Sequence, residues 1–247
     1  MTEQERVNEL IARLHQAYPD AKCSLDFTTP LELLVATILS AQCTDERVNM
    51  VTKALFKKYQ SAQDYAAVPL SELEQDLKQV NFYRNKAKNI QAMATLLVQR
   101  CGGQVPRTMP ELIALPGVAR KTGNVVLGNA YGISEGVVVD THVGRISQRL
   151  GLTNNDDPVK IEQDLMKTLP KTEWLHFTHM LIYHGRAICQ ARKPLCQQCS
   201  LLDLCPTGAA IMAGAQAAGD AVTPKASASR ARAARGARAA KTISSGQ

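Results

Sequence analysis

Lys121, Asp140 and four cysteines close to one another in the second half of the chain are the residues from which chemistry can be built. Lys121 follows Leu115-Pro116-Gly117-Val118-Ala119-Arg120, in which Pro-Gly predicts a tight turn and the next helix begins almost at once. A helix N-terminus exposed in this way offers unpaired backbone N–H groups to a phosphate oxygen. Leu115, Gly117, Val118 and Ala119 thus form a candidate grip on one nucleic-acid strand that does not read its sequence. Pro-Gly by itself equally suits an ordinary helix connection. Lys121 falls in the first helical turn, where the macrodipole disfavours an added positive charge and the Val125/Val126 face would desolvate the amine. A neutral amine is what nucleophilic attack and Schiff-base formation require. A solitary lysine at this position is otherwise a solvated charge.

Asp140 stands between the apolar run Val137-Val138-Val139 and a predicted helix over 141–150. It is placed to cap that helix, and a cap at the end of a buried segment is also a rigidly held carboxylate. The cysteines follow the pattern Cys189-x6-Cys196-x2-Cys199-x5-Cys205, four of seven within seventeen residues. With no secretory features in the chain, this reads as metal ligation rather than disulfides. Four thiolates suit either zinc or a [4Fe–4S] cluster, so spacing leaves the occupant open. The loop between the first two ligands carries Arg192 and Lys193, two cations that could meet phosphate. Cys23, Cys43 and Cys101 stand apart and read as structural thiols.

The elements that must position these groups are helices. Thr29-Pro30-Leu31-Glu32 is a capping box that opens an apolar run to Leu39, greasy on every face and therefore a core helix. Asp45 is placed to cap a helix through Lys58, and Ser71-x-x-Glu74 and Thr108-x-x-Glu111 repeat the capping-box signature. Further helical segments cover 86–100, ended by Gly102-Gly103, then 118–129, 141–150, 158–169 and 174–187, and only 136–139 reads as extended. The fold class is all-α with about ten helices.

At 247 residues and 45% apolar composition the chain can bury a proper core. Its net charge of +7 says less than it first suggests. Residues 211–247 carry six cations against one acid, which places five of the seven net positive charges in a stretch rich in Ala, Gly, Ser and Arg. That stretch has too little apolar surface to offset chain entropy and reads as a disordered basic tail, either an inert extension or a source of salt-sensitive phosphate attraction. No apolar run approaches the roughly 18 residues of a membrane helix, so a soluble cytoplasmic protein is expected, acting on the nucleoid if its partner is DNA.

Taken together, these segments resemble the endonuclease III family of the helix–hairpin–helix DNA glycosylases. The likeness rests on Leu39-Ser40-Ala41-Gln42-Cys43-Thr44-Asp45, on Leu115 to Thr122, on Val139-Asp140-Thr141-His142, on His184-Gly185-Arg186 and on the cysteine spacing. It implies two helical domains: a six-helix barrel with the hairpin over 24–133, and a [4Fe–4S] domain built from 1–23 and 134–210. Duplex DNA with damaged bases or abasic sites would lie across the cleft between them, bound by a monomer. The implied activity is that of a bifunctional glycosylase and lyase of base excision repair, removing oxidised pyrimidines. Lys121 is then the nucleophile, Asp140 the catalytic aspartate, and Cys189, Cys196, Cys199 and Cys205 hold a structural cluster. Gln42 matches the residue that fills the vacated stack and Phe82 the apolar wedge in the opposite strand, and His142 is expected among the DNA-binding residues. Two positions depart from the family pattern, Ala119 and Asn81, each standing where Gly is usual.

The adenine-mismatch relatives depend on a glutamate in the second barrel helix, and 33–40 contains no acid. A mismatch glycosylase acting on thymine or uracil opposite guanine shares the framework and stays open at this stage. So does a non-catalytic DNA-binding protein with a structural four-cysteine metal site.

Overall fold

A computed structural model describes residues 1–220, and over these residues the chain folds into twelve α-helices with no strand. Local chemistry accounts for most helix starts. Thr2 with Glu5 closes a capping box on α1 (Glu3–Ala17), and Thr29 with Glu32 does the same on α2 (Pro30–Ser40). Three expected caps are corrected. Thr44, one residue earlier than Asp45, caps α3 (Asp45–Lys58), since its hydroxyl reaches the Arg47 amide while Asp45 is already helical. Ser71 lies inside α5 (Leu70–Asp76), which starts at Pro69 because the fixed proline φ begins the turn without a side-chain cap. Before α7 (Met109–Ile113), Thr108 donates its hydroxyl to the Glu111 carboxylate instead of accepting a backbone amide.

Two cores form. The first joins α2 to α8, with α6 (Tyr83–Cys101) and α8 (Arg120–Tyr131) against α2 and α4 (Ala62–Ala67) against α6. Six of the eleven residues of α2 are buried, the all-round burial its composition predicts, and it packs against α3, α6 and α8. Cys23, Cys43 and Cys101 are half-buried thiols against this core. In the second core, Val7, Leu10 and Leu14 of α1 meet residues of α9 (Thr141–Arg149), α10 (Pro158–Thr168) and α11 (Trp174–Ala187). The two ends of the folded chain therefore share one apolar interior. The extended stretch 136–139 enters it with Val137 and Val139 buried but pairs with no strand among the described residues.

Polar ties join the two cores. Arg120 at the start of α8 grips the 7%-exposed Glu162 of α10, which also accepts from Asn124. Asn129 meets His179 of α11 at 2.8 Å, and Arg186 reaches Asp45 at 2.8 Å and Ser24 at 3.1 Å. The last helix, α12 (Pro206–Asp220), passes beyond residue 211, where the tail was expected to be irregular. Its alanines, the strongest helix formers, extend the helix at little cost. The remainder of the predicted tail, 221–247, lies outside the described residues. No described helix is long and apolar enough to cross a membrane.

Candidate functional site

The hairpin between α7 and α8 is a four-residue turn closed by a 3.2 Å bond from the Val118 amide to the Leu115 carbonyl. Pro116 in the second position and Gly117 at φ +77° in the third are the signature of a type II turn. A side chain at Gly117 would meet strain from that φ and a Cβ contact of 3.0 Å with Asn89 of α6. Leu115 and Val118 are buried and anchor the turn, while Gly117 and Ala119 face outward. Ala119 is the extended N-cap residue of α8 and has no side chain able to accept a cap bond. The first amides of α8 are thus available to an external acceptor, and Lys121 is the second residue of that turn. Lys121 is exposed rather than desolvated against Val125 and Val126 as expected.

Asp140 caps α9. Its Oδ1 accepts the amides of His142 and Val143, each at 2.8 Å, and its Oδ2 lies 3.2 Å from His142 Nδ1. The carboxylate is half-buried and keeps one oxygen outside the cap.

Gln42 and Phe82 are exposed, and they are the only non-glycine residues with positive φ among the described residues, at +53° and +58°. Their loops touch: the Asn81 carboxamide donates to the Gln42 carbonyl at 2.8 Å. Close by, the buried Lys86 donates to the carbonyls of Leu39 at 2.8 Å and Ala41 at 2.6 Å, satisfying the C-terminal end of α2. Burial lowers the pKa of this amine. Sequence reasoning missed Lys86, because nothing in an amphipathic segment marks which lysine turns inward.

Cys189, Cys196, Cys199 and Cys205 all line one cavity between α9, α11 and the start of α12. Four thiolates lining one cavity are the donor set of a [4Fe–4S] cubane as well as of zinc, so the residues present fit the cluster. Burial is the main cause raising the Cys199 and Cys205 thiols. Several N–H groups surround the sulfurs. Arg149 donates to Cys189 Sγ at 3.2 Å and the Gly208 amide to Cys205 Sγ at 3.2 Å. His184, held neutral by burial with its pKa lowered to about 4, faces Cys199 Sγ at 3.6 Å and pairs with the Tyr18 hydroxyl at 3.0 Å. Arg149 also binds the carbonyls of Gln190 and Ala191, which fixes the loop that exposes Arg192 and Lys193. Of these supporting residues only His184 stood in a motif read from the sequence, and there without a role, since such roles depend on the fold.

Residues 35–171 match the model of the HhH-GPD superfamily base excision DNA repair proteins, and residues 189–205 match the iron-sulfur binding domain of endonuclease III. The endonuclease III of Synechocystis is 55% identical over 209 residues, covering 85% of this chain and 95% of that protein. The chain belongs to the endonuclease III family. A trapped endonuclease III–DNA covalent intermediate superposes with a TM-score of 0.80 at 47% identity, over 86% of this chain and 99% of that one. A thermostable thymine-DNA glycosylase superposes with a TM-score of 0.76 at 22% identity, covering 83% of this chain and 98% of that one, and at that identity it shows the fold alone. The protein is thus a DNA-binding base excision repair enzyme with glycosylase and lyase activity, and it carries a [4Fe–4S] cluster. The zinc-bearing, non-catalytic reading falls away.

Proposed function

We propose that the protein removes oxidised pyrimidines from duplex DNA and nicks the strand at the resulting abasic site, with Lys121 as nucleophile and Asp140 as its partner. The observation that carries this reading is Lys121 itself, an exposed amine in the uncapped first turn of α8 directly after the hairpin. A strand gripped by the amides that follow Gly117 would bring a flipped nucleotide to the same helix end. Lys121 Nζ attacks C1′ of that nucleotide, and the glycosidic bond breaks with its electron pair leaving on the base. Asp140 offsets positive charge developing at the sugar through the oxygen not used in the α9 cap. After the nitrogen loses a proton, its lone pair forms the C=N bond as the C1′–O4′ bond breaks and O4′ takes up a proton, and the resulting protonated imine acidifies C2′ and permits β-elimination of the 3′ phosphate. Gln42 fills the emptied stack, Phe82 wedges the opposite strand, and His142 keeps Asp140 oriented.

Cys189, Cys196, Cys199 and Cys205 would hold the cluster, which in this reading supports the Arg192/Lys193 loop and takes no part in bond breaking. Residues 24–133 form the barrel and hairpin domain, and 1–23 with 134–210 form the cluster domain. The enzyme acts as a monomer in the cytoplasm, on the nucleoid.

Borohydride trapping tests the assignment. A duplex carrying one thymine glycol, incubated with protein and reductant, should yield a covalent protein–DNA band that Lys121→Gln lacks while keeping nearly the same Kd, since one charge near phosphate changes affinity little. A Lys121→Gln protein that still traps overturns the nucleophile, and trapping at an abasic site but not at thymine glycol overturns the substrate class.

A further inference from the structure

We infer that Asn81 is a positioning residue that ties the two DNA-entering loops together, so that Gln42 and Phe82 insert as one unit. The proposal rests on the assignment of Gln42 and Phe82 to insertion made above. Left-handed backbone at a residue with a side chain is strained, and such strain persists only where neighbouring contacts over-determine it. Here the strained pair lies at the two ends of one hydrogen-bonded bridge. Gln42 sits at φ +53° with its carbonyl bound to Asn81 Nδ2 at 2.8 Å, and Phe82, the next residue after Asn81, sits at φ +58° and is 63% exposed.

The segment from Asn81 to Lys86 supplies donors to three carbonyls at the end of α2 and in the loop that follows it: Leu39 and Ala41 from Lys86, and Gln42 from Asn81. Lys86 is 6% exposed and fixes the root of the Gln42 loop. The Asn81 bond alone reaches the residue that would enter the stack. Glycine at this position would leave the Gln42 carbonyl without that donor. Because Asn81 and Phe82 share a peptide bond, movement of Phe82 into the opposite strand is transmitted to the Gln42 backbone. The bridge therefore acts after initial binding, on the insertion step, and links the lesion side to the identity of the opposite base.

The test is a cycle of variants on a duplex with one thymine glycol and a neighbouring 2-aminopurine, whose fluorescence reports unstacking. Gln42→Ala, Phe82→Ala and their combination are measured with and without Asn81→Ala, under single turnover. With Asn81 present, the combined loss of rate should be smaller than the product of the single losses by about three- to tenfold, the worth of one hydrogen bond. With Asn81→Ala the losses should multiply. Asn81→Ala alone should slow insertion and base release about three- to tenfold without changing Kd. Asn81→Asp, isosteric but unable to donate, should do the same. Single losses that already multiply with Asn81 present, or a shortfall that survives its removal, overturn the coupling alone. Should Gln42→Ala and Phe82→Ala themselves leave fluorescence and rate unchanged, the insertion assignment and the coupling are overturned together.

Discussion

Asp140 divides its carboxylate between two tasks at His142: Oδ1 accepts the His142 amide at 2.8 Å, and Oδ2 lies 3.2 Å from the same residue's Nδ1. The cap and the chemistry can therefore be separated by substitution. Asp140→Asn keeps an oxygen to cap α9 but removes the charge, so base release should fall by about 10²–10⁴ with little change in Tm. Asp140→Ala should show the same kinetic loss plus about 1 kcal/mol of instability from the lost cap. Single-turnover base release and thermal melting of the two variants, side by side, check this. Near-normal base release by Asp140→Asn would leave the residue with its structural role alone.

The approach of α8 to α10 depends on Gly136 having no side chain. A Cβ there would clash with Glu162 Oε1 and stand 2.8 Å from Asn124 Nδ2, the groups that pair with each other and with Arg120. Gly136→Ala should cost at least the 1–3 kcal/mol typical of overpacking, because the buried Glu162 must move away from its donors. Denaturant melts should show the loss, and Glu162→Ala in the same chain should recover part of it by emptying the contested space. No recovery would mean that the strain lies in the backbone of 134–139 instead.

Much of this arrangement was legible in the chain, and the misses have physical causes. The apolar run after Thr29 announced a core helix, and α2 is buried on nearly every side. The helix at Trp174–Ala187 starts and stops where its pattern does, and α3 ends at Lys58 as read. The hairpin was readable because Pro116 and Gly117 each accept few backbone conformations. The exposure of Lys121 was not, since it depends on which way a helical side chain leans. Equally hidden were Lys86, Arg149 and Glu162, polar residues whose partners lie 45, 40 and 42 positions away. Asn81, conspicuous only as a departure from the usual glycine, acquires a partner once the fold places Gln42 beside it.

His179 makes the fold sensitive to acid. Burial lowers its pKa to about 4 from the usual 6.5, and His176 adds a smaller push in the same direction. Its ring pairs with Asn129 across the two cores. Between these values the unfolded chain binds a proton that the folded one refuses, so stability is full above about pH 6.5 and declines as pH falls towards 4. The loss approaches about 3 kcal/mol for this residue at the acid end. His179→Gln, which can still pair with Asn129, should flatten that part of a Tm-against-pH curve. An unchanged acid limb would assign the sensitivity to other groups.

Arg192 and Lys193 sit on a loop held at its ends by Cys189 and Cys196 and along its length by Arg149. If the thiolates hold the cluster, its loss should free this loop and with it two phosphate contacts. Replacing both cations with alanine should weaken binding to damaged and undamaged duplex alike and reduce the slope of log Kd against log salt by about two. Cys199→Ala should lose the brown cluster absorption and reproduce much of the change in slope even though both cations remain, because a loose loop meets phosphate at a higher entropic cost. Salt titrations of the two variants decide the matter. An unchanged slope in the double alanine variant would remove the loop from the DNA interface. A normal slope after loss of colour would mean that Arg149 and the local backbone hold the loop without the cluster.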